Sequence, residues 1–202
     1  METFGYAAFE ADAPLRPYRF ARRELRADDI AIEILYCGVC HSDLHMARND
    51  WGETVYPLVP GHEIVGRVIG TGAEVSRFTE GDRVAVGCMV DSCRTCDQCL
   101  KGEEQFCRDG VTETYGMADR LSGAMTQGGY ARHIVVREAF VLRLPARLDP
   151  AKAAPLLCAG ITTYSPLKTW DVGEGTRLGV IGMGGLAIWR SSLARVSALT
   201  SR

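Results

Sequence analysis

Apolar and polar positions alternate in short runs through the first two thirds of the chain. Ile30, Ile32 and Ile34 stand against Ala31, Glu33 and Leu35, and this period near two predicts a strand over 30–36. Similar runs at 4–9, 18–25, 63–69, 130–136 and 140–144 predict further strands, punctuated by Pro14, Pro17, Gly70 and Gly72. Gly81-Asp82-Arg83-Val84 reads as a turn feeding a strand that ends at Val86, with Asp82 serving the turn. One stretch breaks the alternation. Residues 41–48 predict a short helix that puts Ser42 and His45 three apart, on one face. Trp51-Gly52 closes that helix, and Trp51 is either packing or the wall of a substrate pocket. Residues 111–129, polar and Gly-rich, read as a loop; His133 lies in a strand with no ligand spacing around it.

The pattern changes after Leu148. Asp149-Pro150 is an N-cap and first-turn pair, and an Ala-rich helix to about Leu157 follows. Residues 162–170 look helical again, interrupted by Pro166. Residues 177–181 form a short apolar run read as a strand, followed by Gly182-Met183-Gly184-Gly185. Leu186, Trp189, Leu193, Val196 and Leu199 then recur at helical spacing. Many short strands followed by the start of a β-α pattern predict a mainly β fold with some α. That fold is a β-rich barrel leading into the beginning of a Rossmann unit.

Composition narrows the function. The 202 residues carry 23 Lys+Arg against 25 Asp+Glu, so no charge excess favours nucleic acid or an anionic membrane surface. No apolar run approaches the roughly 20 residues of a membrane span. Met1-Glu2-Thr3 opens no secretory signal, which makes the cytoplasm the expected compartment. Eight cysteines are many for such a chain, but four of them fall in one tight group, which suits metal better than disulfides.

That group is Cys93, Cys96, Cys99 and Cys107, spaced C-x2-C-x2-C-x7-C. Four thiolates on one loop can close a tetrahedron around zinc, with no open position and a net negative charge, as in a structural site. Free thiols or an iron–sulfur cluster are the alternatives. Cys37 and Cys88 fit no such spacing and read as small buried apolar residues. A second constellation runs from Cys37 to Glu63: Cys40, His41, Ser42 and His45 within six positions, then His62-Glu63 after the turn at Pro60-Gly61. Thiolate, imidazole and carboxylate are the ligand types zinc accepts.

The run G-V-C-H-S-D-L-H, the later G-H-E, the four-cysteine lobe and C-A-G-I-T-T-Y at 158–164 stand in an order that resembles the zinc-dependent medium-chain alcohol dehydrogenases. Within them the chain is most similar to the cinnamyl-alcohol-dehydrogenase-like branch. The resemblance covers about residues 1–186 and favours zinc in the cysteine lobe at 87–110. It implies a GroES-like catalytic domain at 1–148 and an incomplete Rossmann nucleotide-binding domain at 149–202. It also implies a catalytic zinc held by Cys40, His62 and Cys158, with Glu63 either in the open position at rest or acting from behind the ligands. Without the resemblance, Cys158 reads as a core thiol. The family's proton relay falls on Ser42 and His45, its phosphate contact on His41, and its nicotinamide neighbour on Thr162. The dinucleotide turn falls on Gly182, Gly184 and Gly185, with Ala187 in the last Gly/Ala place. The implied cofactors are two zinc ions and NADP, with NAD possible in its place. The substrate is a small alcohol or aldehyde, with neither nucleic acid nor membrane as partner, and full-length members are homodimers.

The chain departs from the family after Leu186. No second β-strand follows, and the residue that would select ribose or 2′-phosphate is missing. The expectation is a truncated product, from a frameshift near Leu186, and the rival to a working dehydrogenase is a catalytically inactive zinc-binding remnant.

Overall fold

The computed structural model describes residues 1–182 and 184–186. Ala187 and the helix expected beyond Leu186 lie outside the described residues. Strands β1 (Glu2–Ala7) and β2 (Arg16–Ala21) pair antiparallel. Next come β3 (Asp29–Cys37), helix α1 (His41–Ala47), β4 (Ile64–Thr71), β5 (Arg83–Val86) and β6 (Met89–Asp91). Helix α2 (Asp97–Leu100), β7 (Thr112–Glu113), β8 (His133–Arg137) and β9 (Leu142–Arg143) follow. Five strands make one antiparallel sheet in the order β8-β3-β4-β5-β9, while β6 pairs with β7.

The period of two decides which residues are buried where. Ile30 and Ile32 of β3, Ile64 and Val68 of β4, Val84 and Val86 of β5, and Ile134 and Val136 of β8 share one core. Their neighbours Val65 and Ala85 turn to the other face, where Ala153, Ala154 and Leu144 cover them. Burying each Ile or Val stabilises the sheet by about 1.5–3 kcal/mol relative to exposure. Two register shifts interrupt the β3–β4 ladder, the second between Ile34 and Tyr36. Such irregularities bend a strand, and this one lies just ahead of the segment that delivers Cys40.

The covering helix α3 (Pro150–Ala153) starts as expected: the Asp149 carboxylate accepts hydrogen bonds from the Ala151 and Lys152 amides. A 3-10 turn at Ala154–Leu157 continues it, and α4 (Ala159–Thr169) follows Cys158. Small side chains at Ala153 and Ala154 allow this segment to lie close on the sheet.

Three expectations need correction. Pro166 does not interrupt its helix: α4 runs through it, and the Trp170 amide donates to the Pro166 carbonyl. A proline this near the helix end forfeits only its own amide's bond, so the last turn still forms. The stretch at 111–129 is not all loop, because β7 opens it, too short to show a period. Residues 177–181 form no strand, and Ile181 is fully exposed, at 102%. An apolar run becomes a strand only when a neighbour takes its backbone groups, and none among the described residues lies alongside.

Candidate active site and metal centres

In the cysteine lobe, α2 and the turns around it gather Cys93, Cys96, Cys99 and Cys107, whose sulfurs all lie within 4.8 Å of one another. Cys93 and Cys99 Sγ are 3.8 Å apart. A tetrahedron with metal–sulfur bonds of about 2.3 Å has edges of about 3.8 Å. Backbone amides point at the sulfurs: Cys93 N at Cys107 (3.4 Å), Cys96 N at Cys93 (3.3 Å) and Arg108 N at Cys96 (3.5 Å). The Arg108 amide is the chief reason the Cys96 thiol drops to about 6. These donors favour thiolates, and the set fits a closed divalent-metal site.

The second cluster is assembled from three distant segments. Cys40 is the N-cap of α1, His62-Glu63 precede β4, and Cys158 lies between the 3-10 turn and α4. One ligand atom from each of Cys40, His62, Glu63 and Cys158 falls within 4.8 Å of the others, and the two sulfurs are 3.9 Å apart. That separation again approximates a tetrahedral edge and is far from a disulfide's roughly 2.05 Å. Gly61 permits the approach: its φ of 103° is left-handed, and a Cβ there would meet Tyr130 at 2.7 Å. Gly38 does the same for Glu63, whose carboxyl group an added Cβ would overlap.

Asp43 anchors this arrangement. Buried on α1, its Oδ1 accepts from the Gly61 amide (2.8 Å) and faces His62 Nδ1 (3.0 Å). Its Oδ2 accepts from the Cys40 amide (2.9 Å) and the Tyr130 hydroxyl (3.1 Å). Burial alone would raise the Asp43 carboxyl, but His62 and the Cys40 amide outweigh it and hold it below its ordinary value. Burial lowers the His62 imidazole, yet Asp43 and Cys158 carry it up to about 11. With Nδ1 committed to Asp43, Nε2 is left for a metal. Tyr115, whose hydroxyl is 3.2 Å from His62 Nδ1, is raised by burial and by Asp43 and stays protonated.

The cluster opens on a cavity of about 170 Å³ lined by Ser42, Met46, Trp51, Cys88, Glu113 and Tyr115, together with His62 and Cys158. Ser42 Oγ lies 3.7 Å from Cys40 Sγ. His45 stands one turn further along α1, its ring 5.3 Å from Trp51 and its Nδ1 2.8 Å from Asp50 Oδ2.

Residues 26–146 match the family described as the alcohol dehydrogenase GroES-like domain. The chain belongs to that family. It is 52% identical over 183 residues to "Probable cinnamyl alcohol dehydrogenase 8A" of Oryza sativa subsp. japonica, covering 90% of this chain and 50% of the relative. It is 51% identical over 181 residues to the NADP-dependent alcohol dehydrogenase C of Mycobacterium bovis, covering 90% and 52%. A crystal structure of CAD from Helicobacter pylori complexed with NADP(H) aligns with a TM-score of 0.94 at 43% identity, covering 98% of this chain and 57% of that one. The chain thus spans about half the length of the curated relatives it matches.

Cys40, His62 and Glu63 fall within the matched residues 26–146, and Cys158 joins them from beyond that span. Ser42 lines the cavity, while His41, His45, Thr162 and the candidate glycines do not. His41 and Thr162 are exposed, with Thr162 one turn into α4 and its amide bonded to the Cys158 carbonyl (2.9 Å). Gly182, Gly184 and Gly185 are exposed, and a Cβ built on any of them would meet nothing within 4 Å. Gly182 has the positive φ (92°) that a turn glycine supplies. Cys37 packs against the core, and burial pushes its thiol up to about 12. Cys88 corrects the expectation of a core thiol, since it lines the cavity beside Cys158. Sequence reading missed Asp43, Asp50, Tyr115 and Tyr130. The one available signal was Asp43's place three residues after the Cys40 N-cap, where a capping-box acid belongs.

Proposed function

We propose that this chain carries the catalytic half of a zinc-dependent oxidoreductase that interconverts primary alcohols and aldehydes with NADP. The observation that carries this reading is the Cys40–His62–Cys158 cluster opening on a cavity that also presents Ser42. Two thiolates and one neutral imidazole would hold a zinc ion with little net charge, and Glu63 stands ready at a fourth position. Bound zinc would supply Lewis acidity, and a bound nicotinamide would supply the hydride acceptor or donor.

The chain's own residues do the rest. Asp43 keeps His62 oriented, while Met46, Trp51 and Tyr115 give the cavity an apolar wall that excludes water from the reacting carbon. Ser42 would hydrogen-bond the alcohol oxygen and His45, its Nδ1 held by Asp50, would exchange the proton with solvent, the ribose of a bound cofactor lying between the two. His41 and Thr162 would face a bound cofactor, and Gly182, Gly184 and Gly185 would form its phosphate turn. Cys93, Cys96, Cys99 and Cys107 would hold a structural zinc. The GroES-like domain occupies 1–148, and 149–202 begin the nucleotide-binding domain. The cytoplasm is the working compartment, where thiols of this kind stay reduced.

The second reading, an inactive zinc-binding remnant, is favoured by residues 177–181, which lack a sheet neighbour among the described residues. One set of measurements separates the two: metal content, nicotinamide binding, and alcohol-dependent nicotinamide reduction followed by absorbance. Two zinc ions with cofactor binding and turnover support the enzyme. Two zinc ions without cofactor binding support the remnant, and no zinc at all defeats both.

A further inference from the structure

Apart from its metal-binding side chains, the cavity beside Cys158 is lined by uncharged residues and a single carboxylate, Glu113. Glu113 ends β7, a strand held firmly in place. Thr112 is buried, the Thr114 amide donates to the Cys88 carbonyl (3.0 Å), and the Thr114 hydroxyl donates to the Gly87 carbonyl (2.5 Å). Glu113 is exposed between these two buried threonines and lines the cavity together with Thr114. Among the described residues no Lys, Arg or His forms an ion pair with it. Burial raises its carboxyl; His62 opposes the rise and a second carboxylate, Glu53, adds to it. The cavity wall thus presents a carboxyl group that no Lys or Arg among the described residues pairs with, His62 at the cluster being a group of opposite charge that acts on it.

We infer that Glu113 makes the site selective for alcohols and aldehydes that carry a protonated amine at the end remote from the reacting carbon. This rests on the alcohol–aldehyde reading above. A substrate oxygen at the Cys40–His62–Cys158 cluster and an amine at Glu113 would span the cavity. About 150 Å³ suffices for a benzene ring, so a compact aromatic or short aliphatic spacer fits. Specificity here has a repulsive side as well: substrates ending in a carboxylate meet the same charge and are rejected. Glu113 is exposed, where an ion pair is worth a factor of about five or less, and shielding within the cavity increases it.

The test uses the full chain with cobalt(II) in place of zinc, because the ligand-field bands of the open cluster report directly on an arriving oxygen. para-(Aminomethyl)benzyl alcohol and para-methylbenzyl alcohol are titrated separately and their dissociation constants compared. The amine is expected to bind about fivefold tighter to the native chain. Glu113→Gln should bring the ratio to about one. Glu113→Lys should turn the preference toward para-(hydroxymethyl)benzoate, an inversion that general loss of structure does not produce. Equal affinities in the native chain, or an undiminished preference in Glu113→Gln, would overturn the inference and leave the functional reading standing. Cobalt bands unmoved by every alcohol, with both clusters filled, would overturn the functional reading and the inference with it.

Discussion

Replacing Asp43 by Asn changes one atom and tests how the open metal cluster is built. The carboxylate serves four groups, the Gly61 amide and His62 on Oδ1 and the Cys40 amide and Tyr130 on Oδ2, at 2.8–3.1 Å. An Asn side chain offers one oxygen and one NH2, so whichever way it lies, two of these groups face a donor. A buried donor left without an acceptor costs about 1–3 kcal/mol, which gives about 2–6 kcal/mol for two. The Tyr130 hydroxyl can rotate and accept from the new NH2, so the expected loss lies in the lower half, about 2–4 kcal/mol. Even with its oxygen still facing His62, a neutral amide holds Nδ1–H less strongly than a carboxylate does, and such outer contacts are worth about 10–100-fold in metal affinity.

The assay has two arms. Urea unfolding of the metal-free chain reads stability, and zinc competition against a chromophoric chelator reads affinity. The four-cysteine lobe serves as an internal control, because Asp43 touches none of its ligands. The expected result is one weakened and one unchanged zinc, together with a lower unfolding midpoint. Superimposable zinc release curves with stability within about 0.5 kcal/mol of the native chain would refute the assignment of Asp43 as the anchor.

Cys96→Ser should lose about one zinc per chain and speed proteolysis within 88–110, since a broken tetrahedron frees the lobe; unchanged zinc content would refute the lobe assignment. Asp119, whose side chain is only 11% exposed, pairs with Arg26 and accepts from the Ser122 and Leu121 amides; burial raises its carboxyl, but these partners together carry it far below the usual range. A depressed carboxyl contributes stability that is present above its unfolded value of about 3.9 and is lost as pH falls through the folded value. Asp119→Asn should therefore cost about 1.5–3 kcal/mol at neutral pH, with the gap to the native chain closing below about pH 4; a gap unchanged at pH 3 would contradict this. Asp149→Ala removes an N-cap and should lower stability by about 1 kcal/mol in urea unfolding.

What could be read from the sequence follows from how local each feature is. The strands at 29–37, 64–71 and 133–137 send residues an even number of positions apart (Ile30 and Ile32, Ile64 and Val68, Ile134 and Val136) into one core, so the period appears in the letters themselves. The two-residue strand β7 is too short to show one, and Glu113 was passed over with it. Residues 177–181 have the composition of a strand, but their state depends on neighbours that composition does not encode. The site divides the same way. Cys40, Ser42, His45, His62 and Glu63 lie within a span whose spacing announces a metal. Cys158 is 118 residues from Cys40, and only the family pattern connected the two. Asp43 lay inside the motif, yet its role depends on the Pro60-Gly61 turn and Tyr130 arriving from elsewhere in the chain.

The two metal clusters differ in what holds them before a metal arrives. Ala153 and Ala154 dock on Val65 and Ala85, an apolar contact that needs no ion, and it brings Cys158 to within 3.9 Å of Cys40. Asp43 fixes His62 independently. The open site is therefore preformed, with two sulfurs and the carboxyl groups of Asp43 and Glu63 gathered around one imidazole. The cysteine lobe has no comparable support. Leu100 and Phe106 are 74% and 64% exposed, and its buried residues are mainly the ligands Cys99 and Cys107 with Ser92 and Asp91. There a bound metal would stand in for a core, and its binding energy would be folding energy. A chelator should consequently unravel the lobe while leaving the sheet, α1 and the open cluster's geometry largely in place. Amide hydrogen exchange would show this as loss of protection confined to 92–110; loss spread evenly over β3, β4 and α1 would mean that the open site, too, is built by its metal.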